Sequence, residues 1–220
     1  MEARISPLVI DLYELTMAAS YFAERMFGTA TFSLFIRKYP TNRAYFVAAG
    51  LADALRYLES FRFHDDELAY LRSTGLFHDD FLAYLRELEI QCDVAAIPEG
   101  RLFFTNEPVL EVTGPIIQAQ IVETYLLNIF HLQTLIATKA ARCVWAAKGR
   151  RLVDFALRRT HGRDAGMAVA RASYIAGFDA TSNVFAGQCY GIPITGTMAH
   201  SYVEAFPHEI DAFRAFARLF

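Results

Sequence analysis

The sequence predicts an α/β protein in two parts: a front domain of mixed helices and strands over residues 1–114, then β/α units over 115–220. Three observations predict this. Helical and strand periodicities are interleaved from the start. Gly114-Pro115 breaks the chain after a run of turn-punctuated apolar alternation. Beyond the apolar stretch 116–147, strand patterns alternate with helix patterns, as in a parallel sheet or barrel.

Asp11 to Met26 places Leu12, Leu15, Met17, Ala18, Tyr21 and Phe22 at helical spacing, and Gly28 is the expected stop. Thr31 to Arg37 and Ala44 to Ala48 read as strands about the turn Pro40-Thr41-Asn42. Leu51 to Phe61 reads as a helix. An internal echo follows: Phe63-His64-Asp65-Asp66 and Phe77-His78-Asp79-Asp80 each precede a Leu-Ala-Tyr-Leu-Arg run. The aspartates suit helix N-caps and first turns, where negative charge is favoured, better than metal ligands. Val94 to Thr113 predicts a β-hairpin region. Ile116 to Ala147, interrupted by Gln118, Gln120, Glu123, Asn128, Gln133 and Lys139, predicts a buried helix or helix pair. Strands are then expected over Arg151–Arg158 and Ile192–Thr197. Helices are expected over Ala165–Ala176, Asn183–Tyr190 and Ile210–Leu219, with Gly177-Phe178-Asp179 a connector or short strand.

Composition narrows the function. Hydrophobic residues make up 54% of the 220 and charged residues 20%, with a net charge of −3. That is ample material for a packed core and lacks the basic excess of nucleic-acid binders. Lys148-Gly149-Arg150-Arg151 reads as a solvated turn. Cys92, Cys143 and Cys189 lie far apart with no CxxC pair, so neither zinc ligation nor a disulfide framework is expected. Reduced thiols fit a cytoplasmic protein. The charges at Glu2, Arg4, Asp11 and Glu14 argue against a signal peptide. No apolar run reaches the roughly 18 residues of a membrane span, so no membrane partner is expected.

In parallel α/β folds, ligands bind where strands end at their carboxyl edge. Three expected edges carry polar groups. At the first, Arg158 and Arg159 could hold a phosphate or carboxylate through the planar guanidinium fork, or form surface salt bridges. At the second, Asp179 could orient a ring or ribose, or cap the next helix, a task Ser182 could also perform. At the third, His200 in Thr197-Met198-Ala199-His200-Ser201 could attack a phosphoryl group, or could be a hydrogen-bonded structural residue.

Together with the start of the chain, these segments resemble the nicotinate phosphoribosyltransferase family. The matching motifs are Asp11-Leu12-Tyr13-Glu14-Leu15-Thr16-Met17, Ala48-Ala49-Gly50-Leu51, Pro98-Glu99-Gly100, Phe155 to Arg159, Gly177 to Asn183, and Gly196-Thr197-Met198-Ala199-His200-Ser201. Each alone is weak; the ordered set is specific. The resemblance implies a type II phosphoribosyltransferase architecture, an α+β front domain followed by the start of an irregular TIM-like α/β barrel, paired as a homodimer with shared active sites. It implies a reaction of nicotinate with phosphoribosyl pyrophosphate, with substrate-bound magnesium and ATP as co-substrate.

By motif, His200 is the phosphorylated histidine and Thr197 contacts nicotinate, with Ser201 beside them. Tyr13 stacks on the pyridine ring from the other subunit. Arg158, assisted by Arg159, contacts the ribosyl phosphate or the ring, and Asp179 matches a carboxylate near the ring.

The chain reaches Phe220 inside an expected helix, and residues 115–220 are fewer than half of the roughly 250 in a full barrel. The expectation is therefore an amino-terminal portion whose isolated activity is in question. The alternatives are a non-catalytic fragment that binds a completing chain, or a quinolinate-type enzyme. The motif Gly196 to Ser201 argues against the latter.

Overall fold

The computed structural model describes residues 4–220. The front region holds helices α1 (Leu12–Ala23), α2 (Leu51–Ser60), α3 (Asp65–Ser73) and α4 (Asp79–Glu87), with strands β1 (Thr29–Leu34), β2 (Phe46–Val47), β3 (Asp93–Ala96), β4 (Leu102–Phe103) and β5 (Leu110–Pro115). The helices α5 (Ile116–Gln120) and α6 (Glu123–Ala147) follow. Next come β6 (Val153–Asp154), a 3-10 turn at Leu157–Arg159, α7 (Arg163–Ile175), β7 (Ala180–Thr181), α8 (Val184–Tyr190), α9 (His200–Glu204) and α10 (Glu209–Ala217).

The front sheet is antiparallel in the order β1-β5-β3, with Thr31 opposite Thr113 and Val94 opposite Val112. The expected hairpin is real in its two arms, β3 and β5. Its middle, Leu102–Phe103, leaves to pair with β2 in a separate two-stranded sheet. There the rings of Phe46 and Phe103 lie 5.3 Å apart, both buried.

Helix α1 ends before the expected stop at Gly28. Arg25 adopts φ +54°, and the Met26 amide donates to the Tyr21 carbonyl at 2.8 Å, a Schellman ending built without glycine. In the echo, the aspartates occupy first turns after His64 and His78, as expected. Each helix also reaches the other: Arg72 pairs with Asp79 and Arg86 with Asp65, both at 2.8 Å.

The packing does not change at Gly114. Ile117, Ile121, Val122, Tyr125, Leu126 and Phe130 of the α5–α6 segment belong to the front core with Leu15, Tyr57, Leu68 and Leu85. The front domain thus extends past the expected boundary at 114, because the apolar face of α6 completes its core. Farther along α6, Ala137 meets Ala172 of α7 together with Val47 and Ala49, small side chains that let the helices approach closely.

A second clasp joins the two parts. Arg171 of α7 makes a bidentate pair with Glu99, at 2.8 and 2.6 Å. Glu99 also accepts the Gly50 amide at 2.7 Å, at the start of α2. Gly50 has φ +113°, which side-chain-bearing residues rarely adopt. Burial alone would push the Glu99 carboxyl up. Arg171 and the Gly50 amide outweigh it and hold the group below the usual carboxylate range. Among the described residues, no helix is long and apolar enough to cross a membrane.

Candidate active site

The strands β6 and β7 pair in parallel, Val153 with Ala180 and Asp154 with Thr181, and Ile194 adds a single parallel bridge to Thr181. The expected third strand over Ile192–Thr197 is reduced to this bridge. The Thr181 amide donates to the Pro193 carbonyl at 3.0 Å and the Thr195 amide to the Thr181 carbonyl at 3.1 Å. Gly187 permits the approach of α8: a Cβ there would stand 2.3 Å from Ile194 Cγ2.

All three segments leave the ladder in the same direction. Asp154, buried at the end of β6, ties the edge together. Its Oδ2 accepts from Thr181 Oγ1 at 2.9 Å, its Oδ1 accepts the Ala156 amide at 2.9 Å, and its carbonyl accepts the Ser182 amide at 2.8 Å. Asn183 caps α8 by accepting the Ala186 amide at 3.1 Å.

This edge gathers five of the sequence-predicted residues. After β6, the 3-10 turn carries Arg158 and Arg159, both exposed, so the expected strand Arg151–Arg158 stops at Asp154. Neither arginine pairs with an acidic side chain among the described residues, so the surface salt-bridge alternative is not realised there. After Ile194, an exposed loop carries Thr197 and leads to His200 and Ser201, the first residues of α9.

Asp179 stands elsewhere. It precedes β7 and lies level with Leu152, whose carbonyl accepts its amide at 2.8 Å and whose amide donates to its Oδ2 at 2.7 Å. It therefore occupies the amino edge, and its expected placement at the carboxyl edge, like its possible role as a cap, is corrected. The register places Thr181, Ser182 and Asn183 at the carboxyl end, with Asn183 as the cap.

Tyr13 lies on α1, which packs mainly against α5 and α4 and away from the edge. Its ring is partly exposed. Burial, and then the carboxylates of Glu123 and Glu14, push its phenol up to about 12. The sequence reading assigned no role to Asp154, Glu14 or the Glu99–Arg171 pair, and offered Ser182 only as a cap, the place Asn183 takes. The visible signal for the first was a charged residue between Val153 and Phe155 in an apolar run.

Two surface clefts, of about 370 and 310 Å³, lie in the front region between Leu58 and Ile90 and beside Phe46 and Phe130, away from the strand edge. Among the described residues, no group of three or more His, Cys, Asp or Glu side chains converges to hold a metal ion.

A front domain of helices and antiparallel strands thus stands beside short parallel strands, with cationic, hydroxyl and imidazole groups at the carboxyl edge, the edge at which open α/β sheets bind ligands. The chain belongs to the nicotinate phosphoribosyltransferase family: residues 8–131 match the nicotinate phosphoribosyltransferase (NAPRTase) N-terminal domain. It is 55% identical over 216 residues to a nicotinate phosphoribosyltransferase of Mycobacterium tuberculosis, covering 98% of this chain and 47% of that protein. The crystal structure of human nicotinic acid phosphoribosyltransferase is similar at 42% identity and TM-score 0.82, over 89% of this chain and 40% of that one. A nicotinate-nucleotide pyrophosphorylase from Pyrococcus furiosus shares the fold at TM-score 0.80 and 24% identity, over 97% and 47% of the two chains. The chain spans about half the length of the curated relatives it matches.

Proposed function

We propose that this chain carries part of the active site of a nicotinate phosphoribosyltransferase acting in NAD salvage. In that reaction the ring nitrogen of nicotinate bonds to the anomeric carbon of phosphoribosyl pyrophosphate, and pyrophosphate leaves with the bonding electron pair. ATP hydrolysis is coupled through phosphorylation of His200. The observation that supports the reading is the shared carboxyl edge: Arg158 and Arg159, without an acidic partner among the described residues, follow β6, and the segment Thr197–Ser201 follows Ile194, which bridges in parallel to β7.

The arginines supply charge and donor geometry for a phosphate or carboxylate. Thr197 offers a hydroxyl to nicotinate. The exposed His200 imidazole attacks the terminal phosphorus of ATP, the bond to the bridging oxygen breaks and ADP leaves with its electron pair, with Ser201 beside the histidine. Ser182 replaces Asp179 as the polar contact from β7. Magnesium bound to the diphosphate of the substrate would supply charge neutralisation on the leaving group. No described residue set is assigned to it.

The architecture belonging to this reading is type II, with β6 and β7 opening an irregular TIM-like barrel, in a cytoplasmic enzyme. Tyr13 reaches the ring across a homodimer, a reading supported by the packing of α1 away from its own strand edge.

The test uses the full-length protein with labelled nicotinate, phosphoribosyl pyrophosphate and ATP. Nicotinate mononucleotide should form, and label from γ-labelled ATP should enter the wild type but not His200→Ala. Mixed dimers of Tyr13→Ala and His200→Ala subunits should recover activity above either variant alone. Product from quinolinate and not nicotinate, or unchanged labelling of His200→Ala, would overturn the reading.

A further inference from the structure

Glu14 sits next to Tyr13 in the first turn of α1 and is fully buried, at 0% exposure. Its Oε1 accepts the Thr124 amide at 2.9 Å and also the Thr124 hydroxyl. The Thr124 hydroxyl oxygen in turn accepts the Asp11 amide at 3.4 Å. One side chain thus fastens the start of α1 to the start of α6. Among the described residues, its other oxygen, Oε2, is buried without a hydrogen-bond partner, as is the hydroxyl of Tyr57 on α2. Tyr57 stacks on Tyr125, one residue past Thr124, with ring centres 3.8 Å apart.

We propose that Glu14 is the positioning residue for Tyr13, and that its protonation state sets how α1 presents that ring. The inference rests on the reading of Tyr13 as a ring-contacting residue. A buried carboxyl with one satisfied oxygen is suited to two states. Neutral, it keeps the Thr124 bonds and carries its proton on Oε2. Ionised, it leaves an unpartnered charge in the core, which the anchor accommodates by shifting. Burial pushes Glu14 up to about 7, opposed by the Thr124 hydrogen bonds and reinforced by Glu123.

The groups around it are accounted for by element. At the start of α1 they are Tyr13 and the N-cap residue Asp11. Glu123, Thr124 and Tyr125 come from α6, and Tyr57 from α2. Helix α5, which also packs on α1, carries no titratable side chain. Helix α4 meets α1 at its far end, where Phe22 packs on Phe81 and Tyr84.

The experiment follows the tyrosine ring signals of isotope-labelled full-length protein across neutral pH, with Tyr13 assigned through Tyr13→Phe. In wild type the Tyr13 signal should titrate with a midpoint near 7, and in Glu123→Gln it should still titrate, at a lower midpoint. In Glu14→Gln, which keeps the Thr124 bonds without a titratable group, it should be flat. A flat wild-type signal, or the same titration in Glu14→Gln, overturns the proposal.

Kinetics add a second readout. Glu14→Ala should raise the nicotinate KM by about tenfold with kcat within about twofold, and Glu14→Gln should restore KM. An unchanged KM in a folded Glu14→Ala, or a fall in kcat alone, counts against it. If wild type forms no nicotinate mononucleotide, the functional reading falls, and the Tyr13 titration still decides this inference. Should Glu14→Ala fail to fold, the Glu14→Gln titration decides alone.

Discussion

The front region and the strand edge are held together by different means. In the front region Phe46, Tyr57, Phe103 and Phe130 are almost fully buried, and the core is built from large side chains. Around β6 and β7, the buried apolar residues are mainly small ones such as Ala170, Ala172, Ala180 and Ala186. There Phe155, Val184, Phe185 and Ile194 remain exposed, and order comes from the hydrogen bonds of Asp154, Thr181 and Asn183. Apolar area is a strong but undirected source of stability. Short strands tied by a buried carboxylate leave their ends free for a ligand. The division puts large apolar packing in one region and exposed strand ends in the other, with the Glu99–Arg171 pair joining them.

The sharpest test of that contrast is truncation of one ring in each region. Phe46→Ala should lower stability by about 3–5 kcal/mol in urea denaturation, the range for deleting a buried aromatic. Phe185→Ala, on a side chain 54% exposed, should cost less than about 0.5 kcal/mol. Equal losses would mean that the edge holds a comparable core and that the contrast is misplaced.

Breaking the clasp should come next. Arg171→Met strands the largely buried Glu99 charge and should cost about 2–3 kcal/mol at neutral pH. Glu99 is held below its ordinary value in the folded state. Its contribution is therefore present above the unfolded value and disappears as pH falls through the folded one. Acid titration of stability should show this loss in wild type and not in Arg171→Met. Parallel curves would show that the pair does not couple the regions.

Glu14 has the opposite sign. Its value is raised from 4.5 to about 7, so stability is complete below the unfolded value and falls as pH rises toward 7. Above that it levels off. Glu14→Gln should therefore be more stable than wild type at alkaline pH by about 2 kcal/mol, with the difference shrinking toward pH 5. Thermal melts across this range measure it, and a gap independent of pH would refute it.

The smallest effect is expected at the amino edge. Asp179→Asn loses one charged acceptor for the Leu152 amide, for about 1 kcal/mol or less, and should leave nicotinate mononucleotide synthesis within about twofold of wild type. A large drop in kcat/KM would return Asp179 to the site and break the assignment of the two edges.

Helices with a strong apolar period were legible from sequence, because their signal is local: α1, α2, the two echo helices and α6 all form where the spacing placed them, within a few residues. The type and order of Arg158, Arg159, Thr197, His200 and Ser201 are likewise carried by the chain itself, and the fold adds that they follow parallel strands. What the sequence by itself determined is this inventory of elements and polar groups.

Tertiary structure decided the rest. Leu102–Phe103 joins a different sheet because a two-residue strand takes its partner from whatever edge lies beside it. The front domain absorbs α5 and much of α6 because their apolar face fills its core, which a break at Gly114-Pro115 does not reveal. Asp179 falls at the amino edge because strand pairing is a relation between distant segments. The parallel register of Asp154 with Thr181 sets which residues stand at each end, and a shift of three residues along β7 is enough to exchange one edge for the other.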